Sequence, residues 1–345
     1  MKRLWYVVIM VIAVCLIVPP SGSWAAGKKI KLAIASWNVP KDPNSKVLQA
    51  IADDLSAATG GLVTSTISYK ALGKPTEYYD AVENGIVDIA YVGLPYTPGR
   101  FPYSEMLGLP INLPTNVITT KAHYQLWKKG YLDKQFAGVH PICVGSTSPY
   151  NFFWGKKKVT TLAGFKGKKI RAPGGPWSAL IEAIGGVPVS VSVGEMYMAL
   201  ERGTIDGILQ TWPAVPVFKL HEVSLSMTEM NLCGFTFVVA MNKDSYQKLP
   251  QEAKDVLDKN AEKYSLIMGN AHHGFNQVGM KIMADAGRKI HKLSPADKAE
   301  MNKLIKPIFK KWAKDMKARG LQGKKALDDL YAILQKLGVK EPFVK

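Results

Sequence analysis

Apolar residues fall along this chain in short runs separated by amphipathic stretches. Lys29 to Ser36 is a strand-like run closed by Trp37. Val47, Leu48, Ile51 and Leu55 then recur at the spacing of one helix face. Asn44 or Ser45 can cap that helix and Gly60-Gly61 end it. Leu62 to Tyr69 alternates enough for a second strand. Glu77 to Glu83 is a short helix stopped by Asn84-Gly85, and Ile86 to Val92 is a buried strand. Strand, helix, strand, helix, strand predicts a mainly parallel sheet covered by helices.

The pattern repeats further on. His140 to Ser146 predicts a crossing strand, and Asn151 to Trp154 enters a second lobe. Lys169 to Ala172 is a short strand, and a helix starts near Pro176, a residue type suited to a first helical position. Thr204 to Gln210 ends another strand. Leu232 to Met241 is a continuous apolar run that returns to the first lobe. Helices follow over Gln251 to Asn270 (continuing to Ala286), Pro295 to Arg319 and Lys324 to Leu337. The expected architecture is α/β and two-lobed, with a ligand cleft between the lobes. Residues 26–148 plus 234–286 form lobe I, 149–233 form lobe II, and 287–345 are C-terminal helices packing across both. Two crossings, near 147–151 and 231–235, fit a hinge.

Composition changes this picture in three places. Lys2 and Arg3 precede an uncharged apolar run, Trp5 to Val18, that is too short to span a bilayer comfortably. Small residues at Ser23 and Ala25 complete an export signal over residues 1–25, cleaved near Ala25. Cys143 and Cys233 then remain, as two buried thiols or a disulfide. From Arg288 to Lys345 there are sixteen Lys/Arg against six Asp/Glu. The lysines interleave with Leu304, Ile305, Ile308, Phe309 and Trp312, the pattern of an amphipathic helix with a solvated basic face rather than a nucleic-acid surface.

Candidate chemistry concentrates in residues 167–213. Arg171 sits where a strand ends at Pro173-Gly174-Gly175-Pro176 and a helix begins. Backbone N–H groups and the positive helix end favour an anion there, and a guanidinium grips a carboxylate through two bonds. Gln210, Thr211 and Trp212 follow the second strand of this stretch as an opposite wall. Open α/β sheets bind ligands beyond the carboxyl ends of their strands, so Trp37 and Tyr96 are first-lobe contacts. Trp37, Tyr150, Phe152, Trp177 and Trp212 supply rings for an apolar or aromatic ligand tail. No G-x-S-x-G, H-E-x-x-H or Walker lysine motif is present. His272 and His273 are adjacent, about 100° apart on a helix, and read as ordinary structural or surface residues. No cofactor or metal is expected.

Phe165, Gly167, Lys169, Arg171 and Pro173, then Gly185 and Pro188, then Glu195, Tyr197, Ala199, Leu200, Gly203, Asp206 and Gly207 form one extended pattern. It resembles the solute-binding receptors of tripartite ATP-independent periplasmic (TRAP) transporters, and weaker likeness runs through KLAIASW (31–37) and EYYDAVENGIVDIAYVG (77–93). The resemblance implies a periplasmic, non-catalytic receptor with a two-lobed, periplasmic-binding-protein-like fold that closes on an organic acid and delivers it to membrane permease subunits. The family's ligand-pairing arginine falls on Arg171 and its following polar residue on Gln210. A second basic residue found in some members would fall near Asn151, where this chain has an amide. The expected ligand contacts are therefore Arg171, Gln210, Trp212, Trp37, Asn151, Trp177, Tyr96 and Val193. Two rival classes are an exported enzyme using Glu195 or Glu77 beside Arg171, and a sensory receptor.

Overall fold

A computed structural model describes residues 28–147, 149–156 and 158–340. The export signal expected over 1–25 lies outside them. The strands are β1 (Ile30–Ser36), β2 (Val63–Tyr69), β3 (Ile89–Gly93), β4 (His140–Ser146), β5 (Tyr150–Trp154), β6 (Lys169–Ala172), β7 (Val187–Ser190), β8 (Gly207–Gln210), β9 (Ser226–Leu232), β10 (Thr236–Met241) and β11 (Lys289–Lys292).

They form two sheets. The first has the order β2-β1-β3-β10-β4. β1 runs parallel to β2 and β3, while β10 is antiparallel to β3 and β4. β3 and β10 are buried along their whole length, which is why both read as continuous apolar runs. The helix Ser45–Ala58 turns Val47, Leu48, Ile51 and Leu55 into the core, as its periodicity requires. The second sheet has the order β11-β9-β5-β8-β6-β7. β6, β7 and β8 are parallel, and β5 is antiparallel to β8 and β9.

The apolar run 232–241 is not one strand. β9 ends at Leu232, Cys233 turns at φ 62°, and β10 begins at Thr236. Gly234 fits this turn because an added Cβ would stand 2.6 Å from Ser146 Oγ. The helix expected from Gln251 breaks at Asn260 into Gln251–Lys259 and Ala261–Asp285. Residues 289–292, expected among the C-terminal helices, pair as β11 with β9. The helix Asn116–Lys128, not foreseen, starts where Thr115 Oγ1 accepts from the Ile118 N–H at 3.2 Å. The Pro295–Ala318 helix packs on Gly175–Ala183, and Gly323–Lys336 packs on Asn116–Lys128. Cys143 and Cys233 are free and buried, and burial pushes both thiols up.

The sheets are joined by short crossings. β4 passes to β5, and β9 passes to β10. Between them the Thr147 N–H donates to Phe235 O at 2.9 Å, and the Phe235 N–H donates to Thr147 Oγ1 at 3.1 Å.

Candidate functional site: an arginine-walled cleft over an aromatic chamber

Arg171 is the third residue of β6, a strand fixed at its start by Asp206. The Lys169 N–H donates to Asp206 Oδ2 at 2.9 Å, and the Asp206 N–H donates to Lys169 O at 2.7 Å. At its other end the chain turns through Gly174 (φ 123°) and Gly175 (φ 42°), conformations that favour glycine, into the helix Gly175–Ala183. Arg171 is 2% exposed. Its Nε donates to Val191 O at 3.0 Å, and the Tyr96 hydroxyl lies in hydrogen-bonding reach of the guanidinium. Burial pushes the Tyr96 phenol up to about 12, with Arg171 acting in the opposite sense. Among the described residues Arg171 belongs to no ion pair. A buried guanidinium in this state is a standing demand for an anion.

A cleft of ≈ 740 Å³ opens beside it. Trp37, Asp42 and Tyr96 line one wall, and Arg171, Val191, Val193 and Glu195 line the other. Adjoining it is a chamber of ≈ 50 Å³ that shares Trp37, Asp42, Tyr96, Val193, Val217 and Phe218 with the cleft and adds Tyr150, Gln210, Phe235, Phe237 and His272. Its rings are in contact: Trp37 meets Tyr96 edge-on at 5.4 Å, Tyr96 meets Phe235 at 4.9 Å, and Phe235 meets Phe237 at 5.1 Å between centroids. Gln210 is 6% exposed; its Oε1 accepts from the Thr211 N–H at 2.8 Å, and its Nε2 meets only the Met196 thioether, a weak acceptor, at 3.8 Å.

A polar chain closes one side of the chamber. Asp42 Oδ1 accepts from the Asn44 backbone N–H and from Asn44 Nδ2, both at 2.8 Å. Asn44 Oδ1 lies 2.9 Å from His272 Nε2. Burial raises the Asp42 carboxyl to about 6, against the lowering effect of Asn44. Burial alone takes His272 down to about 4, so its ring is neutral at neutral pH. Sequence reasoning missed Asp42 and His272. Asp42-Pro43-Asn44 is a turn-forming triplet, and nothing in the sequence joins it to a histidine 228 residues away.

Five of the eight expected contacts, Arg171, Gln210, Trp37, Tyr96 and Val193, line the two hollows, and so does Tyr150. Asn151, Trp177 and Trp212 do not line them. Asn151 is buried in β5, where its Oδ1 accepts from the N–H groups of Met230 at 2.8 Å and Asn231 at 3.1 Å, holding the irregular end of β9. Trp177 is packed onto Gly108, where a Cβ would stand 2.6 Å from the indole. Trp212 stands edge-on to Phe153 at 5.8 Å, with its backbone against Gly279. Phe152 stacks with Trp154 in the core. Glu195 lines the cleft and accepts from Ser192 Oγ at 2.6 Å ahead of the helix Met196–Arg202.

The model of the bacterial extracellular solute-binding protein family 7, DctP, matches residues 34–315. The chain belongs to this family. A marine metagenome TRAP solute-binding protein specific for aromatic acid ligands, in complex with metahydroxyphenylacetate, superposes with a TM-score of 0.84. It is 28% identical, and the match covers 89% of this chain and 99% of that one. A TRAP solute-binding protein of Rhodoferax ferrireducens with copurified benzoate is 26% identical at a TM-score of 0.84, over 89% of this chain and 98% of its own. The outer membrane transporter protein TsaT of Comamonas testosteroni is 23% identical over 86% of this chain and 89% of its length. The family 7 chain is thus a two-lobed TRAP solute-binding protein, a transport component and not an enzyme. Among the described residues no helix is long and apolar enough to cross a membrane.

Proposed function

We propose that this receptor captures an aromatic carboxylic acid in the periplasm, after cleavage of an N-terminal signal near Ala25, and delivers it to membrane permease subunits. One observation carries the ligand class: a buried arginine without a carboxylate partner stands on the wall of a cleft that adjoins a chamber of aromatic rings. The chamber, at ≈ 50 Å³, is smaller than the few hundred Å³ of a typical ligand site. The acid therefore spans both hollows. Its carboxylate lies on the terminal nitrogens of Arg171, and its ring lies against the faces and edges that Trp37, Tyr96 and Phe235 turn to the hollows. Gln210 Nε2, which has only a thioether beside it, donates to a ligand oxygen.

Receptor function needs charge complementarity and shape, and no proton shuttle. Arg171 supplies the first, and each ring adds about 0.5–1.5 kcal/mol beyond burial. The relatives that hold hydroxyphenylacetate and benzoate support the same class. The test is calorimetry of the protein lacking residues 1–25, with benzoate, 3-hydroxybenzoate and phenylacetates against succinate and galacturonate. The expected result is stoichiometric binding of the aromatic acids, recovered unchanged. Preference for the short or polyhydroxylated acids would overturn the reading.

A further inference from the structure

The polar chain from Asp42 fixes which nitrogen of His272 carries the proton. Asp42 Oδ1 takes both N–H donors of Asn44, so the Asn44 amide must turn its Nδ2 toward Asp42. Asn44 Oδ1 is then the atom that faces His272, and an amide oxygen only accepts. His272 Nε2 must therefore carry the hydrogen. In a neutral imidazole the other nitrogen, Nδ1, is left as a bare acceptor. His272 is 4% exposed, lines the chamber, and its Nδ1 is buried without a partner. The same wall holds a second unpaired group, the Trp37 Nε1–H. Trp37 and His272 flank Phe237, the one at 6.5 Å and the other stacked at 6.4 Å. Buried polar atoms without partners are costly, and a ligand that satisfies them gains from it.

We propose that His272 Nδ1 accepts a hydrogen bond from a hydroxyl on the ligand ring, which makes the receptor selective for hydroxylated aromatic carboxylates. The proposal rests on the aromatic-acid reading of the cleft. Its geometry is that of two ends. Arg171 lines the cleft and not the chamber, whereas His272 lines the chamber and not the cleft. An acid anchored at Arg171 thus presents the far side of its ring to His272. A hydroxyl is the small group that donates to Nδ1 and also accepts, as the Trp37 indole requires. A methyl ether keeps the oxygen and loses the donor, leaving Nδ1 buried and unpaired. Asp42 and Asn44 act through His272 as positioning residues. The relatives do not decide the matter, since one holds a hydroxylated acid and another benzoate.

The experiment is calorimetry with benzoate, 3- and 4-hydroxybenzoate, 3-hydroxyphenylacetate, and the O-methyl ether of each hydroxy acid, on the parent and on His272→Phe and His272→Gln. At least one hydroxy acid should bind tenfold or more tighter than both benzoate and its own ether, about 1.4 kcal/mol. His272→Phe should abolish that preference, so that each hydroxy acid binds this variant no tighter than benzoate or its own ether does. His272→Gln should keep part of it, because a Gln amide can donate to Asn44 and turn its oxygen to the chamber. Equal binding of hydroxy acids, ethers and benzoate by the parent would overturn the inference while leaving the aromatic-acid reading intact. The parent comparison stands even where a variant fails to fold. A hydroxyl preference that survives His272→Phe would also overturn it, and binding of none of these acids would overturn both readings.

Discussion

Replacing Arg171 by methionine separates a residue that holds ligand from one that holds the fold. The side chains are similar in length, and the site is 2% exposed. Without ligand the guanidinium keeps one bond, from Nε to Val191 O at 3.0 Å, and the Tyr96 hydroxyl beside it. Methionine gives up the Nε bond, at about 1–3 kcal/mol. It also removes a buried charge whose desolvation costs several kcal/mol. These effects oppose each other, so the ligand-free protein should be as stable as the parent or more so. Binding should behave differently. Loss of the partner of a buried carboxylate costs about 3–5 kcal/mol, or roughly 100- to 4000-fold in affinity. Ligand at 100 times the parent's dissociation constant stabilises the parent by about 2.7 kcal/mol. If the constant rises 100-fold, the same concentration stabilises Arg171→Met by only about 0.4 kcal/mol. Arg171→Lys should fall between them, because lysine keeps the charge and loses both the Val191 contact and the planar fork. Denaturant unfolding with and without benzoate or 3-hydroxybenzoate measures both quantities. The reasoning is refuted if Arg171→Met keeps the full ligand-dependent shift, or if it loses several kcal/mol of ligand-free stability.

Gln210→Ala should weaken binding by about 1–2 kcal/mol, less than Arg171, since a neutral amide costs less to desolvate; unchanged affinity in calorimetry counts against a Gln210 contact. Burial raises the Asp42 carboxyl to about 6, above its unfolded value of about 3.9, so its relative stabilisation is complete below about pH 4 and lost as pH rises through 6. Asp42→Asn should therefore gain up to about 3 kcal/mol of stability at pH 8 and nothing at pH 3.5, measured by urea unfolding at the two values. His123, buried between Ser104 Oγ and Gly145 O, is taken down to about 4 by burial. Its contribution is complete above about 6.5 and lost as pH falls towards 4, so His123→Gln should flatten the acid limb by about 1.4 kcal/mol per pH unit in that window. An unaltered slope would place the titration elsewhere.

Periodicity carried the elements whose apolar faces are local. The Ser45–Ala58 helix and strands β1, β2 and β4 fall within a residue or two of their expected bounds. It failed where tertiary contact decides. β7 and β11 are four residues long with no buried position, and pairing with a neighbour is what makes them strands. The break at Cys233 hides inside an apolar run because a cysteine at φ 62° carries no compositional mark. Among the residues that line the hollows, Arg171, Gln210, Trp37 and Tyr96 were legible because each stands near, at or just beyond the carboxyl end of a parallel strand. Trp177 and Trp212 follow strand ends too, yet Gly108 makes room for the Trp177 indole in the core, and Gly279 lets the Trp212 backbone approach while its ring packs on Phe153. Gly108 stands 69 residues from the tryptophan it faces, a pairing that only the fold creates.

The position of the site follows from the way the two sheets face each other. Trp37 follows the carboxyl end of β1, Tyr96 follows β3, Arg171 stands near the end of β6 and Gln210 ends β8. Four parallel strands, two from each sheet, thus aim their last residues at one cleft, where open α/β sheets bind ligands. The chamber goes further, since Tyr150 opens β5 immediately after one crossing and Phe235 lies within the other. Those crossings are tied to each other by the two hydrogen bonds between Thr147 and Phe235. An acid lodged between Arg171 and these rings therefore touches both sheets and the connection that sets the angle between them. A ligand biases a conformational equilibrium only by its differential affinity for the states involved. In the proposed binding mode that differential would come from reach, with Arg171 on one wall and Trp37 and Tyr96 on the other contacting the same acid. Charge on one lobe and rings on the other would then give a single acid the means to hold the receptor closed.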